Sequence, residues 1–328
     1  MVNAERAQDY MLGRLDLDKG FTLDDGFNEK VVDPMNEARP QERDFMDRQG
    51  GPYPSNKVKE DLAEIRRIEN LPDFEKQNTS SAIALEAATA FLISNSKYNI
   101  LGENADARLA SKYDDVKRGC DVIVSLFDEE SEDEPVLFAL DVKTCDEIQL
   151  ARKLSATLDA LDRGYHNSVE YYVDQNEEMI GHVDLPKFIF HMPAESVDFL
   201  QNTIIISPED RSDQQKNEVK IFQADFVDKI KMQAREMILY ILTKKFSVDD
   251  NLTDDELINW LEDNMQGDLA KRLNQAALKN IQQYLGVLSW MTNFQQKNKL
   301  PAVGELVTTF FDARFVQALK TKRTDNKY

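Results

Sequence analysis

Two short apolar, β-branched runs lie in the middle of this chain, Cys120–Phe127 and Val136–Val142. Between them stands Asp128-Glu129-Glu130-Ser131-Glu132-Asp133-Glu134, with six acids in seven positions. Each run is too short for a helix, and a strongly charged tip joins them. That pattern predicts a β-hairpin whose strands are buried and whose turn is solvated. The segments on either side are patterned as helices and further short strands. The hairpin therefore commits the chain to a mixed α/β core rather than a helical bundle.

Around it, Val58, Leu62, Ile65 and Ile68 fall at helical spacing over 56–70, and Pro72 stops that helix. A second helix is predicted over 80–94, where Leu85, Ala88 and Leu92 share a face. A strand is expected near Leu109, then the hairpin. A third helix follows over 147–161, with Leu150, Leu154, Leu158 and Leu161 on one stripe. Phe188–Met192 and Thr203–Ile206 read as two more strands. From Pro208 to Pro301 proline is absent and the pattern is helical. Helices are predicted over 224–245, from Thr253 and along 273–291, with a last one from Pro301. Thr253-Asp-Asp-Glu256 is a capping box. Three regions result: an irregular or disordered arm over 1–54, an α/β core over 55–208 and a helical subdomain over 209–328.

Charge narrows the function. The 328 residues hold 40 Lys+Arg against 60 Asp+Glu, a net charge of −20, so a globally basic nucleic-acid binder is excluded. The surplus is uneven: residues 209–328 hold 18 acidic and 18 basic side chains, leaving that part open to a polyanion. No apolar run approaches the ~18–20 residues of a membrane helix. Met1–Leu12 has no apolar segment of a secretory signal. Cys120 and Cys145 are too few for a disulfide framework or a cysteine zinc site. A soluble cytoplasmic protein without a membrane partner is expected. The absence of Gly-x-Gly and of Gly-Lys-Ser/Thr disfavours nucleotide-binding loops.

The chemistry-bearing residues are at the ends of the predicted hairpin strands. Side chains alternate along a strand, so Asp141 and Lys143 point the same way. Asp121 opens the neighbouring strand, and a hairpin register brings the two carboxylates together. Their oxygens, with the Val142 carbonyl, form a hard, oxygen-rich set suited to Mg²⁺ or Mn²⁺. A nearby lysine can stabilise negative charge that develops on a phosphodiester.

Asp121 followed by Asp141-Val142-Lys143 resembles the PD-(D/E)xK nuclease superfamily, the restriction-endonuclease-like fold. The helix carrying Glu86, the approach Ala110–Gly119 and the α-β-β-β-α-β order are similar as well. The resemblance covers residues 78–206. It departs at the first motif, where Cys120 rather than proline precedes Asp121. It implies metal-dependent hydrolysis of nucleic acid, with DNA as the expected substrate. Asp121 and Asp141 would ligate Mg²⁺ or Mn²⁺, Lys143 would orient water or steady the transition state, and Glu86 would supplement the site. Gln149 is a weaker candidate helper.

Other residues carry less. Asp114 and Asp115 are rival ligands in an expected loop. His166, His182 and His191 have no metal-site spacing. Trp260 and Trp290 fall on apolar helix faces and suit core packing. Lys117-Arg118, Arg152-Lys153, Lys244-Lys245, Lys297 with Lys299, and Lys320–Arg323 could contact phosphates. The seam-like spacing from Leu273 to Met291 allows a homodimer through the helical end. It also motivates the alternative function, an acidic, catalytically inactive interaction or assembly module that retains the nuclease fold.

Overall fold

A computed structural model describes residues 25–71, 80–128, 134–143, 157, 161, 168–174, 176–192, 200–204, 206–243, 246, 248 and 252–300. Helix α1 spans Ser55–Glu69 and α2 spans Ser80–Ser94. Strands β1 (Ala105–Leu109), β2 (Val122–Leu126) and β3 (Val136–Lys143) follow. Then come β4 (Ser168–Val173), β5 (Met179–Asp184) and β6 (Lys187–His191). Helices α3 (Asp213–Thr243), α4 (Asp254–Asn264) and α5 (Gln275–Lys297) close the described chain.

The expected hairpin forms the centre of a four-stranded mixed sheet in the order β1-β2-β3-β6. The first three strands are antiparallel, with Val122 opposite Leu140, and β6 joins β3 in parallel, with Asp141 opposite Ile189. Strand alternation splits the side chains between two hydrophobic clusters. Val122, Val124, Phe138, Leu140, Val142, Phe188 and Phe190 join α2, α3 and α5 in the larger one. Ile123 and Ala139 join Val169, Tyr172 and Leu185 of the β4–β5 region in the smaller. Covering on both faces explains why β2 is apolar almost throughout.

Several expectations change. Residues 25–54 were expected as an irregular arm, but from Asp25 onward they are largely short helical turns. Phe27, Val31 and Val32 enter the main core, and Phe45 packs edge-on against Tyr171 at 5.1 Å. Each turn alone is too short to show a period, and burial of these side chains is what stabilises them. The β-branched stretch expected as a strand over Thr203–Ile206 lies partly in a helical turn, Leu200–Ile204. The β4–β5 hairpin was not anticipated, and α3 begins 11 residues before its predicted start at Ala224.

The seam of α5 faces inward. Ile281, Tyr284, Leu288 and Met291 are buried in the core shared with the sheet, and Tyr284 meets Phe188 edge-on at 5.6 Å. Burial inside the molecule makes that stripe unavailable for the homodimer it suggested. The capping box at Thr253 and Glu256 is formed. Trp290 packs on Phe294 and donates to the Phe127 carbonyl at 3.0 Å. No helix among the described residues is long and apolar enough to cross a membrane. The helix expected over 147–161, with Gln149, lies outside the described residues except at 157 and 161. So do Cys145, His166, the helix from Pro301 and the basic pairs at 152–153, 244–245 and 320–323.

Candidate active site

The chain reaches the site through one reversal. Ser111 starts it: its hydroxyl accepts from the Asp114 amide at 3.1 Å and donates to the Asp114 carboxylate at 2.9 Å. A helical turn, Asp114–Arg118, follows and ends at Gly119, whose φ of 61° is left-handed. That conformation favours glycine because a side chain would crowd the next carbonyl. The turn directs Cys120 and Asp121 into line with β2, and the Asp121 amide donates to the Leu140 carbonyl at 2.9 Å. Asp114 and Asp115, expected in a loop, are thus part of the turn that delivers Asp121.

Asp121, Asp141 and Lys143 converge. The Lys143 ammonium lies 2.8 Å from Asp121 Oδ2 and 2.7 Å from Asp141 Oδ1. Asp121 Oδ2 also accepts from the Val142 amide at 2.7 Å. The amide and carbonyl of one strand residue point to the same edge, so the Val142 carbonyl lies on the Asp121 side. Both aspartates are buried. Asp121 Oδ1 is buried and has no hydrogen-bond partner among the described residues.

Glu86 of α2 is buried and belongs to the same electrostatic cluster. Burial, then Asp121 and Asp115, push its carboxyl well above the ordinary range. Burial likewise raises Asp121 to about 6, against the pull of Lys143. Burial disfavours the Lys143 charge, but Asp121, Asp141 and Glu86 outweigh it and hold the ammonium above the usual lysine range. The ion pair is therefore a charged lysine shared between carboxylates, in surroundings that penalise any uncompensated negative charge.

The oxygen set fits a hard divalent cation. Asp121 Oδ1 is an unused buried acceptor, Asp141 stands beside it, and Mg²⁺ commonly binds through one or two carboxylates while keeping several waters. Among the described residues, no three carboxylate, histidine or thiol side chains stand ready to hold a metal ion. The Lys143 ammonium lies between the two aspartates instead.

Sequence reasoning missed Arg39. It lies in the segment expected to be irregular, yet its Nη1 donates to Asp115 Oδ2 at 2.8 Å and its Nη2 stands 3.8 Å from Glu86 Oε2. No local signal marks it, since its partners are distant in the chain. It also missed Lys187, whose ammonium donates to the Arg118 carbonyl at 3.1 Å beside Gly119. His182 contacts Glu170 and Asp184, a structural use. Lys117 and Arg118, named as phosphate contacts, pair with Glu64 and Glu170. Comparison with family models, curated proteins and solved structures returns no match for this chain.

Proposed function

We propose that this chain is a metal-dependent nuclease of the restriction-endonuclease-like kind, with DNA as the expected substrate. The observation that supports it best is the Lys143 ammonium, 2.8 and 2.7 Å from the carboxylates of Asp121, just before β2, and Asp141 of the adjacent β3. Asp121, Asp141, the Val142 carbonyl and Glu86 would hold Mg²⁺ or Mn²⁺. When bound, such a cation lowers the pKa of water and polarises a phosphoryl oxygen. Hydrolysis joins a water oxygen to phosphorus and breaks the ester P–O bond, and a proton from that water passes to the leaving oxygen, which departs as an alcohol. Lys143, turned from its aspartates toward substrate, would donate to the phosphoryl oxygens as negative charge grows there. Burial of Asp121 and Asp141 keeps bulk water from screening that charge.

The deciding experiment is cleavage of single- and double-stranded substrates with Mg²⁺ or Mn²⁺ by wild type and Asp141→Asn. A ligand role predicts a loss of about 10²–10³ in rate, several kcal/mol of transition-state stabilisation. Equal rates would mean that a contaminant cleaves, and would end the proposal.

A second reading is favoured by one observation: Lys143 already pairs with both aspartates, and no ready three-ligand cluster stands among the described residues. On that reading the chain is an acidic interaction module that keeps the fold and has lost activity. It predicts no Mn²⁺ heat in calorimetry, and Mn²⁺ binding abolished by Asp121→Ala would count against it.

A further inference from the structure

We propose that Arg39 is a positioning residue of this site, its guanidinium bridging Asp115 and Glu86 so that the Glu86 carboxylate is held in the cluster with Asp121 and Lys143. The inference rests on the nuclease reading and adds a part that the strand core does not supply.

Arg39 lies 76 residues before Asp115, just past the helical turn Asp33–Glu37. The flanking chain is anchored on both sides. Val31 and Val32 are in the main core, and Glu42 accepts from the Tyr113 amide at 2.7 Å. Tyr113 adjoins the turn that carries Asp114 and Asp115. The backbone bearing Arg39 is therefore tied both to the core and to the acidic turn.

The side chain is 10% exposed. A charge so shielded is unfavourable unless partnered, and among the described residues its side chain pairs with Asp115 and Glu86, both acids of this cluster. Its Nε is buried without an acceptor among the described residues, a penalty that packing alone does not explain. Asp115 also has Lys112 at 3.5 Å, so its charge is compensated without Arg39. What the guanidinium adds is the bridge. Its planar fork sends two nitrogens in fixed directions, one to each acid, which a lysine's single ammonium does not reproduce.

Arg39→Lys keeps the charge and removes the bridge. Residues that orient ligands typically change metal affinity or activity 10–100-fold. Calorimetric titration with Mn²⁺ should show affinity about tenfold or more below wild type, while the thermal melt without metal stays close to wild type. Turnover should fall about 10–100-fold, with KM for the nucleic acid within about twofold. Millimolar guanidinium ion added to Arg39→Ala should recover part of both losses. Wild-type Mn²⁺ affinity and turnover in Arg39→Lys would overturn the inference. So would a wild-type protein that takes up no Mn²⁺, and that outcome would remove the nuclease reading too. A wild type that binds Mn²⁺ yet cleaves nothing removes the nuclease reading alone, and the Mn²⁺ comparison with Arg39→Lys still decides the positioning role.

Discussion

The carboxamide of Gln233 exchanges two hydrogen bonds with the backbone of Ile189: Nε2 donates to its carbonyl and Oε1 accepts from its amide, each at 2.9 Å. Strand β6 is an edge of the sheet, and one buried side chain from α3 stands where a fifth strand would pair. Gln233→Leu leaves a buried amide and carbonyl unsatisfied. Urea unfolding should show a loss of about 2–4 kcal/mol. Gln233→Glu keeps the shape but cannot donate to the carbonyl, so it should be destabilised as well. A loss under about 0.5 kcal/mol in the leucine variant would show that the exchange contributes nothing.

On the nuclease reading, Lys143 would have opposite effects on loading and on chemistry. Lys143→Met removes the ammonium that pairs with Asp121 and Asp141. The metal-free protein should lose about 3–5 kcal/mol, the usual cost of breaking a buried pair. The two carboxylates are then released toward a cation, so Mn²⁺ should bind more tightly by calorimetry and raise the melting temperature more than in wild type. Cleavage should nevertheless be abolished. Weaker Mn²⁺ binding in the variant would show that the lysine does not compete for this position.

Asp114 sets a pH dependence. Burial raises its carboxyl to about 6, although the Glu170 and Tyr171 amides and the Ser111 hydroxyl all donate to it. The ordinary value is about 4. Between those two values the folded state holds more protons than the unfolded chain, so stability falls as pH rises through about 4 to 6 and then levels. The full effect is on the order of 2–3 kcal/mol. Asp114→Asn lacks the titration and loses one acceptor. Its deficit relative to wild type should therefore shrink between pH 4.5 and pH 7 in urea unfolding. A constant deficit would contradict the argument.

Gly119→Ala tests the reversal before β2. An added Cβ would lie 3.6 Å from Asp141 Oδ2 and 3.8 Å from Lys187 Nζ, ordinary contact distances. Space is adequate, so the cost is the left-handed backbone, about 1–2 kcal/mol. Thermal melts should show that loss. If the turn relaxes to relieve it, Asp121 moves and Mn²⁺ affinity falls with it. An unchanged melt would show that the turn tolerates a side chain.

The central pair of strands could be read from the chain because its pattern is local: a period of two carries Asp141 and Lys143 to one face, and the acidic tip fixes which strands meet. Asp121 followed from the same register. The capping box at Thr253 was equally local. The β4–β5 hairpin was harder to see, since Glu170 and His182 interrupt its apolar pattern and are accommodated by an ion pair with Lys57 and a polar contact with Asp184. Thr203 to Ile206 shows the reverse error: β-branched residues favour strands only weakly, and surroundings decide. Arg39 was invisible because nothing near it in sequence hints at Asp115 or Glu86. Assigning the Leu273–Met291 stripe to assembly failed for a similar reason, since a helical stripe does not declare whether it faces a sheet or another chain.

On the nuclease reading, the lysine shared between the two aspartates would separate maturation from activation. A newly made chain need not wait for a divalent ion to neutralise its centre, because it brings a counter-charge of its own. Loading would then be an exchange of one cation for another within an already folded molecule, and a chelator would silence such a nuclease without taking it apart.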